Sequence, residues 1–182
     1  MVAPTKEESR GLVKGLVEKY LRDKEKWRTR NESETRAQFL DPMLKALGWD
    51  FDSPDEVRME LKVLDEESKK KIDYVLLING VEKLIVEAKA IKEDISKIQY
   101  SRQAIEYAYN LSCSWSVLTN FEGLKIFYVG EEGAIFRDIQ LANMERFDEN
   151  FENLWLISHE SFLIGTIERK AEDEGRKRRT VS

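Results

Sequence analysis

Apolar positions change their period along the chain, and each change marks an element. Residues 6–28 place Leu12, Val13, Leu16, Val17, Tyr20 and Leu21 at helical spacing among charged neighbours, one stripe of a helix. A second helix opens at Asn31-Glu32-Ser33-Glu34, where Asn31 or Ser33 can cap it, and carries Phe39, Met43, Leu44 and Leu47 on one face. Pro42 inside that pattern predicts a kink, and Gly48 ends it. After a loop from Trp49 to Pro54 the period drops to two: Val57, Met59, Leu61 and Val63 share one side of a strand over Val57–Leu64. Two short apolar runs, Ile72–Ile78 and Leu84–Ala88, flank Asn79-Gly80 as a hairpin. Helical spacing returns over 94–111 with Ile95, Ile98, Ala104, Ile105, Ala108 and Leu111. Ser114–Thr119, Leu124–Val129 and Ala134–Ile139 read as strands between turns at Phe121-Glu122-Gly123 and Gly130-Glu131-Glu132-Gly133. A helix from near Asp148 through Trp155 and another over Ser161–Lys170 follow. The run Asp65–Lys71 reads as a solvated turn, and 171–182 as a charged, disordered tail. The order ααβββαβββα predicts a mixed αβ fold: one domain over 1–170, a mixed β-sheet flanked by helices on both faces.

Composition narrows the function classes. With 41% apolar residues in 182, the chain can build a real core. No apolar run approaches the ~18 residues of a membrane span, and the N-terminus lacks a signal-peptide core. The lone Cys113 cannot form an internal disulfide, which points to the reducing cytoplasm, and the lone His159 excludes a His-rich zinc site. His159 has no evident partner, and Trp49, Trp115 and Trp155 read as core. A net charge of −5 is not that of a domain that grips DNA unaided; if DNA is the substrate, something else supplies most of the affinity.

Acid-x-lysine occurs four times: Glu60-Leu61-Lys62, Glu67-Ser68-Lys69, Glu87-Ala88-Lys89 and Glu168-Arg169-Lys170. At 36% charged residues, chance produces such triplets. Only Glu87-Ala88-Lys89 ends a buried-looking strand that follows a second one carrying an acid, Asp73. Two carboxylates suit magnesium, which binds oxygen ligands and typically takes one or two carboxylates plus waters. The Ala88 backbone carbonyl offers a third ligand. Glu87 and Lys89 are two apart on a strand and share a face, so Lys89 can contact a scissile phosphate or orient an attacking water. Gln103 and Tyr107, four apart on the next helix, share a face too; they read either as phosphate-binding and metal-ordering groups or as packing residues. Glu34 either faces the metal or serves the helix N-terminus. Arg36 either neutralises phosphate or pairs with Glu32. A plain two-residue loop at Asn79-Gly80 would put Asp73 opposite Val86 and turn Glu87 away. Shared metal binding therefore requires an odd loop or a bulge near Gly80.

The combination resembles a known family. Glu32-Ser33-Glu34-Thr35-Arg36, Phe39 through Trp49, Asp73-Tyr74-Val75-Leu76, Val86-Glu87-Ala88-Lys89-Ala90, Gln103-x-x-x-Tyr107-Ala108 and Val117-Leu118-Thr119-Asn120 are similar to the N-terminal nuclease domain of type I restriction enzyme R (motor) subunits, of the PD-(D/E)XK superfamily. The resemblance implies a restriction-endonuclease-like sheet and Mg2+-dependent DNA cleavage. Asp73 and Glu87 would be metal ligands, Lys89 the catalytic lysine and Glu34 the early-helix acid, with Gln103 and Tyr107 supporting DNA binding. It implies DNA, a helicase/translocase motor and methylation/specificity subunits as partners. Ile72 stands where the superfamily's naming proline would be, and there is no Gly-x-x-x-x-Gly-Lys-Ser/Thr phosphate loop of a motor. The alternatives are a non-catalytic DNA- or partner-docking module, or a nuclease acting on RNA or on DNA ends and junctions.

Overall fold

The hairpin at Asn79-Gly80 decides how the centre of the molecule is built. In the computed structural model, which describes residues 2–62, 71–130 and 133–181 (side chains to 175), β2 (Lys71–Ile78) and β3 (Val81–Ala88) are antiparallel. Asn79 and Gly80 both have positive φ, 51° and 74°, as a two-residue hairpin turn of matching twist requires. Ile78 pairs with Val81 and Leu77 with Glu82, but Leu76 pairs with Leu84 and Tyr74 with Val86. Lys83 is thus the extra residue of a β-bulge.

Six strands form one sheet in chain order: β1 (Val57–Lys62), β2, β3, β4 (Trp115–Thr119), β5 (Leu124–Tyr128) and β6 (Ala134–Ile139). All neighbours are antiparallel except β3 and β4, which are parallel. The parallel step needs a crossover, supplied by α5 (Ile98–Asn110). One face of the sheet, with Leu76, Leu84, Val86, Val117 and Ile126, packs into the larger core. Contributing to that core are α1 (Lys6–Arg22), α4 (Asp41–Ala46), α6 (Phe147–Leu154), α7 (His159–Leu163) and α8 (Thr166–Val181). The other face, with Val75, Leu77 and Ile85, lies under α5 through Tyr107 and Ala108. The expected mixed sheet with helices on both faces is the architecture observed.

The entry helices differ in detail from the sequence pattern. The first helix is interrupted, α1 being followed by α2 (Lys24–Arg28). The second begins as α3 (Glu32–Thr35), passes through a π-helical turn over Arg36–Leu40, and resumes as α4. The Asp41 N–H reaches back five residues to the Arg36 carbonyl. Pro42 has no N–H to give, and the Gln38 carbonyl instead accepts from Lys19 Nζ at 3.2 Å. The predicted kink is therefore a π turn.

Three further differences have local causes. The helix expected from 94 starts at Ile98, because Asp94 Oδ1 accepts from the Ser96 N–H at 2.9 Å and holds a turn there. The helix expected over Ser161–Lys170 is broken by Gly165, whose φ is +71°, and α7 starts earlier, capped by the Ser158 side chain. The tail expected to be disordered from 171 continues α8 to Val181: Ala171 packs against the core, and Glu174 pairs with Arg137 at 2.6 Å. The expected turn over 65–70, the strand end at Val63-Leu64 and Glu131-Glu132 lie outside the described residues. No helix among the described residues is long and apolar enough to cross a membrane.

Candidate metal and nuclease site

The Lys83 bulge brings Asp73 and Glu87 together. Continuing the shifted register of β2 and β3 by one residue sets Asp73 across from Glu87. Both then share the face of Val75, Leu77 and Ile85, on which α5 lies. Asp73 Oδ2 accepts from the Ala88 N–H at 2.8 Å, which fixes that carboxylate against the Glu87-Ala88-Lys89 backbone.

Lys89 folds over this pair. Its Nζ is 2.6 Å from Glu87 Oε1 and 3.5 Å from Gln103 Oε1. The ammonium also lies 4.9 Å from the ring centroid of Tyr100, a cation–π contact. Gln103 Nε2 donates to the Tyr107 hydroxyl at 2.9 Å, an acceptor role that leaves the hydroxyl proton for another partner. Gln103 and Tyr107 therefore stand on the site-facing side of α5. The Tyr107 ring is also buried in the smaller core, so its packing and polar readings both hold.

Burial and like charge set the electrostatics. The Glu87 carboxyl is pushed up to about 7 by burial and then by Asp73, against the pull of Lys89. Asp73 is raised by burial in spite of the Ala88 N–H, Arg36 and Lys89. Glu87 Oε2 is buried and has no hydrogen-bond partner. An orphaned carboxylate oxygen beside a second carboxylate fits a hard cation. Among the described residues no three His, Cys, Asp or Glu groups converge to hold a metal by side chains alone. Asp73, Glu87 and the Ala88 carbonyl are the groups that would hold it.

Two expected residues have other positions. Glu34 works at the helix start: its Oε2 accepts from the Asn31 N–H at 3.1 Å, Asn31 Oδ1 accepts from the Glu34 N–H, and its Oε1 pairs with Arg30 at 3.1 Å. The acid of this helix that feels the site is Glu32, half-buried and raised by burial and by Asp73. Asn31-x-x-Glu34 is a capping box, and that signature was the signal that assigns Glu34 to the cap and leaves Glu32 for the site. Arg36 pairs neither with Glu32 nor outward; its Nη1 is 3.2 Å from Asp73 Oδ1. Tyr74 and Asp41, quoted above only as parts of longer motifs, and Tyr100, which no motif marks, are further neighbours of the site.

Other expected structural residues are core. Trp49 and Trp115 are buried and Trp155 packs against the core. Cys113 is buried, its thiol pushed up to about 12 by desolvation. His159 does have partners: it meets Trp49 edge to face and lies 3.7 Å from Glu56.

Residues 57–133, from the start of β1 to the β5–β6 turn, match the family described as the type I restriction enzyme R protein N terminus. The matched stretch contains Asp73, Glu87, Lys89, Gln103 and Tyr107. The chain is also 34% identical over 173 residues to the type II restriction enzyme and methyltransferase RM.Eco57I of Escherichia coli, covering 85% of this chain and 17% of that protein. Two solved structures are similar. One is a fragment assigned as an HsdR subunit of a type I restriction enzyme from Vibrio vulnificus YJ016, with a TM-score of 0.45 and 22% identity over 69% of this chain and 25% of that one. The other is the type IIG restriction endonuclease BpuSI, with a TM-score of 0.38 and 24% identity over 54% and 12%. The chain thus spans 17% of the length of that curated relative, and the stretch that the family model matches holds every strand of the sheet but β6.

Proposed function

We propose that this chain is the nuclease unit of a restriction enzyme and hydrolyses DNA phosphodiester bonds with Mg2+ at Asp73 and Glu87. The observation that carries the reading is the Lys83 bulge, which sets Asp73 opposite Glu87 on the face of Lys89 and Gln103. A bound magnesium ion would supply charge neutralisation at the phosphoryl group and lower the pKa of a coordinated water. Asp73 and Glu87 are the carboxylates that would hold that ion. Lys89, steered by Gln103 and Tyr100, presents its ammonium beside Glu87, where it can hold a phosphate oxygen or position the water. The Tyr107 hydroxyl, accepting from Gln103, can donate to a second phosphate oxygen.

The relatives are restriction enzymes much longer than this chain, which supports a unit working with a motor and with methylation or specificity elements, in the cytoplasm. The net charge of −5 fits delivery to DNA by such partners. The test is incubation of supercoiled and linear plasmid with the chain in Mg2+ or in chelator, beside Lys89→Ala. Mg2+-dependent nicking that Lys89→Ala abolishes is expected. Absence of any metal-dependent cleavage, with DNA binding intact, would make the chain a docking module instead.

A further inference from the structure

Arg36 opens the π-helical turn, and its side chain is only 12% exposed. Three contacts fix its base. Nε donates to the Tyr74 hydroxyl at 3.2 Å, that hydroxyl donates to Asp41 Oδ1 at 2.5 Å, and the guanidinium carbon sits 4.9 Å from the Tyr74 ring centroid. Its tip is shared. Nη1 lies 3.2 Å from Asp73 Oδ1 and 3.6 Å from Glu60 Oε1. Glu60 in turn reaches Lys71 at 3.4 Å and is more than half exposed.

We propose that Arg36 is a placeholder cation: it neutralises Asp73 in the metal-free chain and yields Asp73 Oδ1 to a divalent cation, its Nη1 then resting on Glu60. The inference rests on the metal-centre reading above. Without metal, Asp73 and Glu87 share one buried site, with Glu32 near enough to repel Glu87, and Lys89 is already bound to Glu87. An unpaired Asp73 there would be strongly destabilising. When a divalent ion arrives, the adjacent guanidinium opposes it, so the same contact that stabilises the empty site weakens metal binding. The Ala88 N–H on Oδ2 keeps the Asp73 carboxylate aimed while Oδ1 changes partner. The Tyr74 and Asp41 contacts hold the base of the guanidinium through the exchange.

The experiment is titration of the chain with Mg2+ alone by calorimetry, together with melting temperature in chelator and at saturating Mg2+. It compares wild type, Arg36→Gln and Tyr74→Phe. Arg36→Gln should bind Mg2+ about tenfold more tightly or better, from removal of one nearby like charge. Its melting temperature should fall in chelator and recover most of the loss at saturating Mg2+. Tyr74→Phe frees the guanidinium base and should move both readings the same way by less. A melting deficit equal with and without Mg2+, or weaker Mg2+ binding, would overturn the inference in favour of a purely structural brace. Unchanged Mg2+ affinity in Arg36→Gln would overturn it as well. If Arg36→Gln does not fold, Tyr74→Phe decides alone. A wild-type chain that binds no divalent cation overturns the metal-centre reading itself, a result distinct from all of these.

Discussion

At the residue scale, the site separates groups that touch chemistry from groups that support it. Lys89→Ala and Glu87→Gln should each reduce Mg2+-dependent cleavage by about a hundredfold or more, since such groups act as a unit; plasmid nicking rates check this. Retention of most activity by Lys89→Ala would remove its role. Tyr107→Phe keeps the buried ring and deletes only the hydroxyl bound by Gln103. Its cleavage should drop while its melting temperature stays within a degree or two. A large melting shift at unchanged cleavage would leave Tyr107 a packing residue. Glu34 and Glu32 make a sharper pair. Glu34→Ala removes half of a capping box and should cost about 1 kcal/mol of stability with cleavage unchanged, whereas Glu32→Gln should lower cleavage and leave stability equal or higher, because it removes a carboxylate that Asp73 repels. Denaturant melts and nicking assays on the two variants separate them, and the reverse pattern would restore Glu34 to the site. Strand and helix periods put Glu87 with Lys89, and Gln103 with Tyr107, on shared faces; that Asp73 shares the face of Glu87 was readable only as a requirement for a bulge. Glu32 was readable only through the capping box: two acids two residues apart on a helix differ in facing by roughly half a turn, and Asn31-x-x-Glu34 commits Glu34 to the cap.

At the scale of elements, strands were legible and helix ends were not. Apolar runs bounded by Asn79-Gly80 and Phe121-Glu122-Gly123 located β2, β4 and β5 to within a residue, while β3 begins at Val81, three residues before the apolar run that marked it. Helix limits depended on single hydrogen bonds, such as Asp94 to Ser96, and on Gly165, which residue type alone does not weigh. The bulge was legible only as a requirement: chemistry demanded it near Gly80, while its seat at Lys83 follows from the pairing. The turn and the bulge are separable. Gly80 has φ +74° and open space where a Cβ would point. Gly80→Ala should therefore cost about 1 kcal/mol, from backbone strain alone, with cleavage kept because the pairing beyond the bulge is untouched. Loss of cleavage in a folded Gly80→Ala chain would mean that the turn, not the bulge, sets the register of Asp73.

At the scale of the whole molecule, pH and metal act through one balance. Glu87 is raised from 4.5 to about 7 in the folded chain, and Asp73 is raised with it. The metal-free folded chain then binds more protons than the unfolded one between these values. Its stability is greatest below pH 4.5 as far as this group is concerned, and falls as pH rises through about 7. The loss attributable to Glu87 is on the order of 3 kcal/mol. Mg2+ needs the ionised carboxylates, so it should raise the melting temperature far more at about pH 8 than at about pH 5. An equal Mg2+ shift at both would count against these ligands. The sheet holds one further consequence. Because its strands lie in chain order, nearly every pairing is with the next strand along, a low contact order that favours rapid assembly. Two meanders, β1–β3 and β4–β6, meet at a single parallel ladder spanned by α5. Asp73, Glu87 and Lys89 belong to the first, and Gln103 and Tyr107 to the helix that ties it to the second, so amide exchange at the β3–β4 seam should slow when a ligand grips both sides.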